Sequence, residues 1–168
     1  VELIQIQAVA ALVHLAKLSE QYSETPITGR THNVAAQVTT VGKRFANAAE
    51  EMLLAFLNLE DIIRTYPMRG VKGPVGTQQD LLELLGDDEK VTEFEASISK
   101  HLGFHSTLES VGQVYPRSLD FNIVSSLVQL SSGPANLAKT LRLMAGHDLA
   151  TEGFQDGQVG SSAMPHKM

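Results

Sequence analysis

The sequence predicts an all-α protein, a bundle of a few long helices. Apolar residues recur at spacings of three and four over long stretches, glycine and proline collect in the gaps between them, and no strand alternation is persuasive. The first stretch, Val1 to about Gln21, carries Leu3, Ile4, Ile6, Val9, Leu12, Val13, Leu15 and several alanines. Its apolar residues reach most of the way round, which predicts burial among several neighbours. Ser23 to Asn33, with Pro26 and Gly29, reads as a loop. A second helix is expected from about Ala36 to Thr65, with Phe45, Ala49, Met52, Phe56, Leu59 and Ile63 on its stripe. Such a helix would span roughly 45 Å, and Thr39 or Thr40 could cap it.

Gly70, Gly73, Pro74 and Gly76 mark a turn-rich linker. Thr77 is a candidate cap for a short helix through Leu85, ended by Gly86. Asp87 or Asp88 could cap another, reaching about Leu102 before Gly103. The last long helix is expected from about Arg117 to Leu149, striped by Ile123, Leu127, Leu130, Leu137, Leu141 and Met144. Pro134 should kink it or interrupt its hydrogen bonds. Ser125, Ser126, Ser131, Ser132 and Gly133 keep one stretch slim enough for a neighbouring helix to approach closely. Helices this long and this apolar are most simply satisfied by equivalent helices from other subunits. The alternative is a monomeric bundle covered by flanking segments.

Composition narrows the function. The 168 residues are 43% hydrophobic and 19% charged, with a net charge of −6. An acidic chain argues against nucleic-acid binding, but a local cation cluster can still attract a small anion. There is no cysteine, hence no disulfide, thiolate metal site or cysteine nucleophile; a cytoplasmic location fits. The opening apolar run, broken by Glu2, Gln5, Gln7, His14 and Lys17, suits neither a signal peptide nor a membrane span. The chain begins without methionine and ends inside a motif, so it reads as one central helical domain, residues 1–168, of a longer protein.

Two segments carry chemistry. The first is Gly160-Ser161-Ser162-Ala163-Met164-Pro165-His166-Lys167-Met168. It pairs hydroxyls, a cation and closely spaced backbone N–H groups between a glycine and a proline. Such a loop, residues 158–168, could stabilise a carboxylate whose charge grows in a transition state. The second runs from Gly29 to Thr40 and holds His32 in polar surroundings, with an imidazole able to exchange protons near neutral pH. His14, His101, His105 and His147 read as packing or surface residues, His14 and His147 within helices. No nucleophile elbow accompanies Asp148 or Asp156, and no histidine pair has metal-ligand spacing on one helix.

The terminal segment closely resembles the GSSxMPxKxN loop of the fumarase/aspartase superfamily. Further strings are similar to the adenylosuccinate lyase branch of that superfamily. They are Thr31-His32 with Ala36-Gln37 and Thr39-Thr40-Val41-Gly42-Lys43-Arg44, Arg69-Gly70-Val71-Lys72-Gly73, Gly76-Thr77-Gln78, and Gly112-Gln113-Val114-Tyr115 with Arg117 and Asp120. The resemblance implies an anti β-elimination that releases fumarate from an anionic purine nucleotide, without cofactor or metal. It implies Ser161 as the base taking the Cβ proton and His32 as the acid protonating the leaving nitrogen. Thr31, Gln113, Ser162, Met164 and Lys167 would contact substrate, Lys167 opposite the aci-carboxylate charge. It implies a homotetramer whose sites each draw on three subunits, with the N- and C-terminal domains lying outside this chain. Another fumarate-releasing lyase of the superfamily and a non-catalytic helical assembly protein are the alternatives.

Overall fold

The computed structural model describes residues 1–151 and 153–164. Among them are five α-helices and one hairpin: α1 (Glu2–Gln21), β1 (Pro26–Thr31), β2 (Val34–Thr40), α2 (Val41–Thr65), α3 (Gln79–Leu85), α4 (Asp88–His101) and α5 (Ser118–Gly146). The chain divides into two units, one of residues Val1–Glu51 with Gly133–Met168, the other Met52–Ser132.

In the first unit, Ala8, Leu15, Ile27, Ala48 and Met144 are buried. The hairpin corrects the expectation of no strands. Pro26–Thr31 pairs antiparallel with Val34–Thr40, and Thr31 faces Val34 across a two-residue turn of His32 and Asn33. Both turn residues have positive φ, 52° and 61°, as a two-residue hairpin turn of the I′ type demands. Asparagine and histidine tolerate that conformation better than most side chains. Gly29 faces Ala36 and Gln37 together, a bulge between Thr28 and Arg30. A Cβ on Gly29 would stand 2.8 Å from the Gln37 carbonyl oxygen, so the site demands glycine.

The second helix therefore starts at Val41, not Ala36. Thr40 is the cap: its Oγ1 accepts the Lys43 N–H at 3.2 Å. The chain enters α2 under tight constraint. Val41 N–H donates to the Thr25 carbonyl at 2.9 Å and Gly42 N–H to that of Tyr22 at 2.9 Å. A Cβ on Gly42 would collide with the Ser19 carbonyl oxygen. The Tyr22 and Phe45 rings lie 6.0 Å apart beside this junction. Asn136 of α5 donates to Glu51 of α2 at 2.9 Å.

In the second unit the core is Met52, Ala55, Phe56, Leu59, Met68, Val91 and Leu130, with Leu59 fully buried. Gln78, not Thr77, precedes α3, and it makes no side-chain cap. Gly86 ends that helix in the left-handed conformation at φ 75°. Asp87, of the two candidates, caps α4 by accepting the Glu89 N–H at 2.8 Å. The linker after α2 is bound to the segment after α4: Met68 N–H donates to the Ser106 carbonyl at 2.8 Å, and Leu108 N–H to that of Met68 at 2.9 Å. Helix α5 runs through Pro134, and Ser126 on it is fully buried.

Candidate functional site

The hairpin turn places His32 at the edge of a cavity of about 250 Å³ in the first unit. Ile27, Leu143, Met144 and Leu149 supply apolar wall; Arg30, His32, Arg44 and His147 supply the polar side. Among the described residues, no aspartate or glutamate lines it. The cavity thus concentrates two guanidinium groups and two imidazoles in a chain of net charge −6. Field lines converge in a concave, low-dielectric pocket, so the local potential opposes the global charge.

Local structure places each of these groups. Arg30 Nη2 and Nε donate to the Asn33 carbonyl at 2.7 and 3.2 Å, bracing the turn that carries His32. Arg44 is half-buried and, among the described residues, has no hydrogen bond or ion pair. It stands in the first turns of α2 with Lys43, and no acidic residue accompanies them. Cations are disfavoured there by the helix dipole, so local helix energetics do not account for the placement. His147 lies just beyond the end of α5, in a turn and not in the helix as the sequence suggested. It joins the cavity wall rather than serving as a packing residue.

The other expected site residues are distributed. Thr31 ends β1 and is exposed. Ser161 is half-buried, while Ser162 and Met164 are exposed; none of the three lines the His32 cavity. Ser161 Oγ accepts the Met164 backbone N–H at 3.1 Å. A donor aimed at that oxygen favours its ionised form. Gln113 belongs to the second unit, exposed, with no side-chain hydrogen bond among the described residues. Lys167 lies outside the described residues. The described residues contain no group of three or more His, Asp or Glu placed to hold a metal.

Around Gln113 the charged groups are paired. Tyr115 Oη donates to Asp120 Oδ1 at 2.9 Å, and Arg117 Nη1 to Oδ2 at 2.9 Å. The Tyr115 hydrogen bond, then that of Arg117, holds the Asp120 carboxyl below its ordinary value. The same hydrogen bond and the Asp120 charge raise the Tyr115 phenol.

Arg30, Arg44 and His147 were not recognised as site residues from the sequence. The sequence signal for Arg44 is two cations in a helix's first turns, which a helix starting at Ala36 would hide. For Arg30 it is adjacency to Thr31-His32.

The chain is similar to known proteins along nearly its whole length. Over 167 residues the chain is 34% identical to adenylosuccinate lyase of Saccharomyces cerevisiae, covering 99% of this chain and 35% of that protein. It is 36% identical over 154 residues to adenylosuccinate lyase of Caenorhabditis briggsae, covering 91% and 32%. The chain therefore spans about a third of the length of the curated relatives it matches. The fold is that of two solved structures. A fumarate lyase from Mesorhizobium sp. BNC1 superposes with a TM-score of 0.74 at 21% identity, over 88% of this chain and 33% of that one. The 3-carboxy-cis,cis-muconate lactonizing enzyme of Pseudomonas putida gives 0.78 at 20% identity, over 99% and 36%. The sequence profile of the family described as lyase matches residues 6–168. The chain belongs to that lyase family.

Proposed function

We propose that the full-length protein containing this chain is an adenylosuccinate lyase. It would split fumarate from adenylosuccinate, giving AMP, and from the succinylated aminoimidazole carboxamide ribotide, giving the carboxamide. The observation that carries this reading is the cavity at His32, lined by Arg30, Arg44 and His147. Apolar wall on one side and guanidinium groups on the other suit a ligand with a flat ring and several negative charges. Names of the relatives and the order of the motifs support the same substrate.

The chemistry then divides between two segments. Ser161, as the alkoxide, takes the Cβ proton. The electron pair forms the C=C bond of fumarate, the C–N bond breaks, and His32 delivers a proton to the departing nitrogen. A proton beside a carboxylate is a poor acid, so the aci-carboxylate charge needs preorganised donors. Lys167, Ser162 and the loop N–H groups would supply them, with Thr31, Gln113 and Met164 contacting substrate. Ser161 does not line the His32 cavity of its own chain, which supports sites shared between subunits. Exposed Leu3 and Ile6 on α1, and Phe121 and Val128 on α5, support helix packing in a homotetramer. No helix among the described residues is long and apolar enough to cross a membrane, and a cytoplasmic location fits a purine substrate.

The test is direct. Full-length protein is mixed with adenylosuccinate, and purine absorbance and fumarate are followed. Turnover abolished by Ser161→Ala is expected. Release of fumarate from a different amine or hydroxyl substrate, with adenylosuccinate untouched, would transfer the protein to another lyase activity.

A further inference from the structure

We propose that Gln113 is held in place by two anchors, Arg69 upstream and Tyr115 downstream, and that both are positioning residues for substrate binding. This rests on the reading of Gln113 as a substrate contact. Gln113 lies in the irregular segment between α4 and α5, exposed and preceded by a glycine. Nothing in that local sequence would restrain it.

The restraint comes from elsewhere in the second unit. Arg69 Nη2 donates to the Gly112 carbonyl at 2.7 Å and to that of Gly73 at 3.1 Å, while Nη1 donates to the Lys72 carbonyl at 2.8 Å. One planar guanidinium thus ties the residue before Gln113 to the Lys72–Gly73 turn. Only arginine offers this fixed fork of donors. The turn is itself secured from below. Lys72 and Glu95 form a part-buried ion pair at 3.0 Å, and Lys72 also donates to the Leu108 carbonyl at 2.8 Å. Gly76, at φ 85°, packs so close that a Cβ would occupy the place of the Val111 carbonyl oxygen. On the other side, the Tyr115 hydroxyl binds Asp120 in the first turn of α5, and Arg117 holds the second carboxylate oxygen. The Gly112 carbonyl is thus bonded, Val111 lies against Gly76 and the Tyr115 side chain is tied to α5, with Gln113 in the span between. Holding a binding group in its productive geometry beforehand removes ordering cost from the bound state.

A double-mutant cycle in the full-length enzyme tests this. Arg69→Lys keeps the charge and loses the fork; Tyr115→Phe deletes one exposed hydroxyl without disturbing the core. Each should lower kcat/KM about tenfold, mainly through KM, as expected for loss of one well-placed contact. Added to Gln113→Ala, either should cost less than about twofold more, because the group being positioned is already gone. Losses that multiply, or unchanged kcat/KM in both anchor variants, would overturn the proposal. If Gln113→Ala by itself leaves kcat/KM unchanged, its substrate contact is refuted separately. Backbone order at Gln113 and Val114, read by nitrogen-15 relaxation, then decides the anchors: greater mobility in Arg69→Lys and Tyr115→Phe upholds them, and unchanged mobility sinks them.

Discussion

Replacing Lys72 by methionine should be among the most damaging single changes in the second unit. The Lys72 side chain is 5% exposed and that of Glu95 18%. Glu95 Oε1 accepts three donors: Val71 N–H at 2.8 Å, Lys72 Nζ at 3.0 Å and Gln78 Nε2 at 3.1 Å. Methionine fills most of the lysine's volume but leaves a carboxylate with two neutral donors and the Leu108 carbonyl without its ammonium partner. Loss of a charged hydrogen bond costs about 2 kcal/mol, and an unsatisfied buried carbonyl about 1 more. The total, about 3 kcal/mol, sits at the low end for breaking a buried pair, as the partial exposure of Glu95 requires. Glu95→Gln keeps an acceptor for Lys72 but leaves the ammonium, 5% exposed, without its counter-ion, so it should also destabilise. In the double variant no ion is stranded, so its cost should fall short of the sum by at least about 1 kcal/mol. The assay is thermal unfolding of the four full-length proteins at one fixed concentration, because any oligomer makes the midpoint concentration-dependent. Strict additivity, or a Lys72→Met midpoint equal to wild type, would refute the reasoning.

Two further outcomes follow from the site. Asp120 titrates below its ordinary value of 3.8 and Tyr115 above 10.0. A depressed carboxyl contributes stability above its unfolded pKa and loses it as pH falls through the folded value. A raised phenol contributes below its unfolded pKa and loses it as pH rises through the folded value. The stability difference between wild type and Asp120→Asn should therefore persist across neutral pH, shrink below about pH 4 and shrink again above about pH 10; Tyr115 ionisation in the variant, followed by phenolate absorbance, should move down. Inactive full-length His32→Ala and Ser161→Ala, refolded together, should regain activity through mixed oligomers in which some sites keep both groups. Verified mixed oligomers that stay inactive would place both residues in one subunit's site.

Helix existence was legible because it rests on local periodicity. The stripes of α2 and α5, the αL glycine after α3 and the Asp87 cap all follow from residues adjacent in sequence. The hairpin was not legible in the same way. Its second strand, Val-Ala-Ala-Gln-Val-Thr-Thr, contains helix-compatible alanines, and both its faces are largely exposed, so no alternation marks a buried side. The available signal was the β-branched run around His32-Asn33, two residues tolerant of positive φ.

Sequence alone thus determined the helical class, because it is carried by spacing along the chain; the resemblance of its motifs pointed to the family, which the comparisons bear out. Tertiary structure decided which charges meet. Arg30 lies in the hairpin and Arg44 just after it, and His147 lies more than a hundred positions later in the chain; only the fold brings β1, its turn, the start of α2 and the end of α5 to one cavity. Likewise the fork from Arg69 to Gly112 crosses 43 positions. Such contacts depend on side-chain direction and distance in space, which helical or strand periodicity does not encode.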